Sequence, residues 1–110
     1  MPKYLLKARY SPEGLAGLTA EGGSGGSSRR TEVGNAVASV GGMIEAFYYA
    51  FADTHLYVIA EFPDNQAAAT VSLTASSTGW VTVTAVPLLT VEEVDAISAA
   101  GAPDYSPPGV

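Results

Sequence analysis

Four segments of the chain have the residue pattern of β-strands, and in the first and the last of them hydrophobic and polar residues alternate. The first strand covers residues 2–10, with Tyr4, Leu6, Ala8 and Tyr10 on one side and Lys3, Leu5, Lys7 and Arg9 on the other. Residues 43–51 and 55–62 follow at a spacing that favours a hairpin, and residues 80–86 form the last alternating segment.

A helical spacing of apolar residues predicts helices between these strands. The first helix begins after Ser11, is interrupted by the glycine-rich residues 22–28 and resumes towards Gly41. An alanine-rich helix occupies the segment before the last strand. Thr90 and Glu93 form a capping-box pattern, which predicts one more helix near the C-terminus.

The predicted order is β-α-β-β-α-β with an added C-terminal helix, which indicates an α+β, ferredoxin-like fold with a four-stranded antiparallel sheet and helices on one face. The segment before residues 22–28 is too short to bury a core of its own, so these residues are interpreted as a flexible glycine/serine loop rather than an interdomain linker. We therefore expect one domain over residues 1–110, ending in an extended tail at 102–110.

The face of the sheet opposite the helices carries too many large apolar groups for a solvated surface. At about 25 cal/mol per Å², leaving several aromatic side chains in water forgoes several kcal/mol, so a second sheet should cover them. A two-fold homodimer supplies that sheet. The predicted interface residues are Lys7, Arg9, Glu45, Phe47, Tyr49, Tyr57, Ile59, Glu61 and Trp80.

Four of these predicted interface residues are charged: Lys7, Arg9, Glu45 and Glu61. Charges inside an interface must pair, because an unpaired buried charge is costly. One interpretation is a layer of ion pairs that fixes the register of the dimer. The alternative is a polar cavity that binds a small anionic molecule.

Composition narrows the classes of function. The chain has 110 residues, no cysteine, a single histidine and a net charge of −6. Disulfides, thiolate chemistry and metal sites built from cysteine or several histidines are therefore excluded, and we expect no cofactor and no metal. The acidic balance argues against a nucleic-acid partner. No apolar segment is long enough to span a membrane and no signal peptide is evident, so a cytoplasmic location is expected.

The candidates for chemistry are few. His55 lies two residues from Asp53, and such a pair could act as an oriented general base; the alternative is a partly exposed histidine of the hairpin. Arg29 and Arg30 follow a glycine-serine segment whose backbone could hold a phosphate or carboxylate, although no Walker A pattern is present. The alternative for them is a solvated loop.

Three tyrosines complete the candidate set. The hydroxyls of Tyr10, Tyr48 and Tyr49 could orient a ligand in a cleft between the sheet and the helices. Aromatic residues at 47–51 are more often core and interface residues than a cofactor site.

Several segments, taken in their order along the chain, resemble the GYD domain proteins of the dimeric α+β barrel group. They are YLLKARYSPEGL, EGG before two arginines, GG before IEAFYYAF, LYVIAEFPDN, LLTVEEVD and the Tyr-x-Pro-Pro-Gly ending at 105–109. The resemblance implies a ferredoxin-like fold and a dimer, without an assigned reaction. At the position of the family's Gly, Tyr and Asp this chain has Ala52, Thr54 and His55.

Three hypotheses for the function remain open from the sequence. The first is a small homo-oligomeric protein that binds a ligand or acts as an accessory protein. The second is a cofactor-free enzyme, similar to a monooxygenase or isomerase, that acts on a small metabolite. The third is a structural subunit of a larger homo-oligomeric assembly.

Overall fold

The computed structural model describes residues 1–20 and 22–109. Glu21, at the start of the glycine-rich stretch, and Val110, at the end of the predicted tail, lie outside the described residues. The elements are β1 (Lys3–Tyr10), α1 (Pro12–Thr19), α2 (Gly25–Ser39), β2 (Met43–Tyr49), β3 (Leu56–Glu61), α3 (Asn65–Ser76), β4 (Val81–Pro87) and α4 (Val91–Ala100).

The strands form one antiparallel sheet in the order β2-β3-β1-β4. This is the order of a ferredoxin-like fold, so the predicted α+β class and its topology are confirmed. The core consists of the inward side chains of the two central strands together with Val37, Phe62 and Ala68. The inward residues of β1 and β3 are Tyr4, Leu6, Ala8, Leu56, Val58 and Ala60.

Helix starts follow the capping residues in the sequence. The Ser11 hydroxyl accepts a hydrogen bond from the Gly14 amide at 3.1 Å, and Asp64 caps α3 through the Ala67 amide. Thr90 and Glu93 form both hydrogen bonds of the predicted capping box at the start of α4. Within residues 1–20 and 22–109, no helix is both long and apolar enough to cross a membrane.

The predicted loop at 22–28 is shorter in the structure, because α2 already begins at Gly25. Gly25 is buried where α2 meets α1, and a Cβ at this position would overlap the carbonyl oxygen of Leu18. The glycine therefore permits the two helices to approach closely, and the sequence pattern suggested only a break in the helix.

A β-bulge in β2 overturns part of the predicted face assignment. The register pairs Ile44 with Ala60 and then Ala46 with Ile59, so one residue of β2 is left over at Glu45. Since side chains alternate along a strand, the extra residue moves every later side chain of β2 to the other face. Phe47 and Tyr49, predicted for the dimer interface, consequently lie on the helix-covered face.

The opposite side of the sheet, called the open face below, has no helix over its centre. Its apolar and aromatic side chains are Leu5, Met43, Tyr48, Tyr57, Ile59 and Val86. Tyr48, predicted for a ligand cleft under the helices, lies here and is 72% exposed. Within the bounds of β1, β3 and β4, the face assignments that follow simple alternation are correct, whereas Trp80, just before β4, borders the helix-covered side.

The contact at Gly25 leads to a test of helix packing. We expect Gly25→Ala to lower the free energy of unfolding by about 1 to 3 kcal/mol, because its methyl group must push α1 and α2 apart. Gly17 lies within α1 and has nothing within 4 Å of a built Cβ, so Gly17→Ala should stabilise the protein by about 1 kcal/mol. Urea unfolding measures both; a Gly25→Ala protein as stable as the parent would contradict the packing argument.

Candidate functional site

Helix α2 is held over the outer strand β2 by two contacts. The Tyr49 hydroxyl donates a hydrogen bond to the Gly26 carbonyl at 2.8 Å. One turn further along α2, the Arg30 guanidinium lies 5.5 Å from the centroid of the Phe47 ring on β2. Both aromatic side chains reach the helix because the bulge turns them towards it.

Helix α3 is held over the other outer strand, β4. The Ser72 hydroxyl donates to the Val83 carbonyl at 2.6 Å, and the Val83 amide donates to the Ser76 hydroxyl at 2.9 Å. Val83 lies on an edge strand, and these serines supply hydrogen bonds to its backbone. The contact therefore draws α3 outwards over β4.

Between these two helices lies a cavity of about 520 Å³. The central strands form its floor through Leu6, Ala8, Leu56 and Val58. Its walls include small side chains, among them Ala36 on α2 and Ala75 on α3, beside the larger Val33, Val40 and Val71, which pack against the core. The two helices are held over opposite edges of the sheet, and the space between them stays open.

Polar groups border this mostly apolar cavity. Arg29 and Glu32 lie on the α2 side, and Tyr10 lies at the end of β1. Burial raises the pKa of Tyr10; the nearby Tyr49 raises it further, and Arg29 opposes the shift. The phenol therefore stays protonated near neutral pH and can donate a hydrogen bond. The α3 side contributes the hydroxyl-bearing residues Thr70, Thr74 and Thr78.

A comparison with protein-family models identifies the chain. The model of the GYD domain matches residues 4–98. The chain belongs to the GYD domain family. No curated protein and no solved structure matches it. The family model covers β1 to most of α4, so the sheet, the cavity and the open face all lie within the GYD domain.

The GYD domain brings together some of the predicted ligand-binding residues and separates others. Tyr10 and Arg29 both line the cavity, and Tyr49 lies close enough to influence the pKa of Tyr10. Arg30 instead lies over Phe47, and Tyr48 is on the open face. Arg29 and Arg30 belong to a regular helix rather than to a loop.

Trp80 was predicted for the dimer interface and lies at the border of the cavity, with 55% of its surface exposed. Its carbonyl accepts the Ser11 amide at 2.9 Å, which ties the start of α1 to the start of β4. Glu32 and the threonines of α3 were not singled out by the sequence. The sequences of α2 and α3 contain few large apolar residues, and this scarcity was the signal that could have indicated an open space bordered by these helices.

His55 has a structural position at the end of the GYD domain's hairpin. Its Nδ1 accepts a hydrogen bond from the Tyr10 amide at 2.9 Å, and its own amide donates to the Ala8 carbonyl at 2.9 Å. The Nδ1 lone pair is thus occupied, which leaves the proton of the neutral ring on Nε2. Among the described residues, Asp53 makes no hydrogen bond to His55, and no group of three potential metal ligands occurs. A catalytic base at this pair stays a prediction that the geometry does not support.

The hydrogen bond at Nδ1 leads to a test of His55. We expect His55→Leu to lower the free energy of unfolding by about 1 to 3 kcal/mol, because the Tyr10 amide loses its acceptor. His55→Asn offers an oxygen at nearly the same position and should retain most of the stability. Thermal unfolding and hydrogen exchange of the Tyr10 amide measure the difference; equal protection of that amide in His55→Leu would rule out the structural role.

Proposed function

We propose that this GYD domain binds a small, largely apolar molecule with an acidic group in the cavity between α2 and α3. The observation that carries the proposal is the cavity itself, whose volume of about 520 Å³ falls within the range of small-molecule sites. Its floor of leucine, valine and alanine side chains favours a hydrocarbon or aromatic body.

The polar border suggests where the acidic group lies. The Arg29 guanidinium and the protonated Tyr10 hydroxyl are both donors, and both favour an anionic oxygen. Glu32 lies one turn from Arg29 and repels an anion, so the acidic group should approach from the Tyr10 side. The apolar body then extends over Leu6 and Val58.

We also propose that the protein is a cytoplasmic homodimer whose open faces pack together as a dimeric α+β barrel. Support comes from the apolar and aromatic side chains that the bulge leaves on this face, with Tyr57 and Tyr48 38% and 72% exposed. Burying these side chains against a second copy would remove a large apolar area from water.

The charges of the open face support a two-fold arrangement. At one end the Lys3 ammonium pairs with the Glu45 carboxylate at 2.8 Å, and this hydrogen bond raises the pKa of Lys3. Glu61 lies beside the same lysine. At the other end lie Lys7 and Arg9, which form no ion pair among the described residues. A two-fold axis that reverses the strand direction would place the acidic end of one copy over the basic end of the other.

The ligand proposal is tested with decanoate and with the fluorescence of Trp80, the single tryptophan of the chain. Decanoate should shift the Trp80 emission in a saturable way and raise the melting temperature, because a ligand that binds only the native state stabilises it. Ala75→Leu fills the cavity and should abolish both effects. Ala69→Leu, an exposed position on the same helix, should leave them unchanged.

Decanol separates the two parts of the ligand proposal. Weaker binding of decanol than of decanoate supports an acidic group at the Tyr10 end. The proposal fails if neither compound gives a saturable shift, or if Ala75→Leu binds decanoate as well as the parent does.

The dimer proposal is tested by sedimentation of Ile59→Asp. Ile59 pairs with Leu5 and Ala46 on the open face, so a carboxylate there would be buried without a cation opposite it, at a cost of several kcal/mol, and this variant should sediment as a monomer while the parent sediments as a dimer. Ala69→Asp adds the same charge on the outer side of α3 and should remain dimeric. A monomeric parent at micromolar concentration would refute the proposal.

A further inference from the structure

Helix α4 has an apolar side that nothing in the described chain covers. All residues from Val91 to Ala100 are exposed. Val91, Val94 and Ile97 recur at every third position and are 74%, 49% and 59% exposed. This spacing is that of a helix side made to pack against another element, since an isolated ten-residue helix has little stability of its own.

The chain extends away from its own body through this helix. The radius of gyration is 17.2 Å, whereas a compact chain of this length has one of about 13 Å. Residues 88–109, called the C-terminal arm below, include α4 and the proline-rich segment after it. The base of the arm lies against the body, where Leu89 and Glu93 border a surface pocket with Lys3, Glu45 and Ile59.

The arm is acidic and lacks positive charge. It carries Glu92, Glu93, Asp95 and Asp104 and has no lysine or arginine. The base of the arm lies at the Lys3 and Glu45 end of the open face, so the arm adds further carboxylates to the acidic end of the chain's own open face. The complementary cations, Lys7 and Arg9, lie at the opposite end of that face.

We infer that the C-terminal arm packs on a second copy of this chain, with its acidic side chains against the partner's Lys7 and Arg9 end of the open face. The inference rests on the proposed dimer and adds a second contact to it. A two-fold axis that reverses the strands brings that basic end of one copy to the base of the other copy's arm. Both arms then make the same contact.

The receiving surface also suits the apolar side of α4. Lys7 pairs across the sheet with Tyr57, which pairs in turn with Tyr48, so two tyrosine rings lie beside the cationic end. Their rings offer apolar surface, and the two cations offer charge partners to Glu92 and Asp95. Among the described residues, the Lys3 end of the same chain's open face does not offer this combination of tyrosine rings and free cations. There, Glu45 and Glu61 would repel the acidic side chains of the arm.

The inference is tested by reversing the charges on each side of the contact. Variant one carries Lys7→Glu and Arg9→Glu, and variant two carries Glu92→Lys and Asp95→Lys, which spare the Thr90–Glu93 capping box. Each variant alone should dimerise at least about tenfold more weakly than the parent, because both of its arm contacts become repulsive. An equimolar mixture should form the heterodimer in preference to the two homodimers, since both arm contacts are attractive only in the heterodimer.

A matched control for variant two carries Glu13→Lys, Gln66→Lys and Ala69→Lys, which raise the net charge by the same amount at exposed positions of α1 and α3. It should dimerise as the parent does. If the parent is a dimer but variant two dimerises equally well, or if the mixture shows no preference for the heterodimer, the arm contact is refuted and the sheet-face dimer stands. A monomeric parent refutes both.

A cysteine pair shows which chain the arm contacts, because the chain has no cysteine of its own. Arg9→Cys and Asp95→Cys, made separately and mixed under mild oxidation, should give a disulfide-linked heterodimer. Both substitutions in one chain should give linked dimers as well. A double variant that forms only an internal disulfide, and runs as a monomer without reductant, would show that the arm folds back on its own body.

Discussion

The architecture depends on where the two long crossover helices are fastened. Helix α3 supplies hydroxyls to the backbone of Val83 on the edge strand β4, and helix α2 is held by Tyr49 and Phe47 on the other edge strand, β2. Unpaired backbone groups on an edge strand invite association, and hydroxyls from α3 are one way to occupy them. Because the helices are fastened at the two edges, the space between them lies over the middle of the sheet, and we attribute the cavity to these edge contacts.

Such an open space limits stability, because a larger apolar residue at Ala75 or Ala36 would remove more apolar surface from water. The chain keeps alanine at both wall positions while it buries Phe62 and Val37 completely elsewhere. Suboptimal packing at several residues around one space is expected at a binding site, because function there can outweigh a loss of stability. This favours a ligand over a merely loose core.

Much of the fold was predictable, because periodicity and capping residues are local signals. Alternation in β1, β3 and β4 and the capping pattern at Thr90 were enough for the element order and the topology. The bulge at Glu45 was not predictable, since the segment 43–51 is almost uniformly apolar and aromatic, so its sequence does not show which side chains share a face, and the shift exists only in its pairing with β3. The candidate site was hard to predict for the same reason, because the bulge places Tyr49 and Phe47 on the opposite face from the one that alternation gives. The role of His55 was also hidden from the sequence, because it depends on a backbone amide 45 residues away.

The proposed assembly and the proposed ligand site use opposite sides of the same sheet. Strand β1 alternates between them, with Leu6 and Ala8 in the cavity floor and Lys7 and Arg9 on the open face. A second copy laid on the open face, with its arm over the basic end, leaves the gap between α2 and α3 uncovered. Ligand entry therefore does not require the dimer to open. A rigid partner behind the sheet would also keep the floor in place, because backbone motion of β1 would have to disturb the interface on its other side.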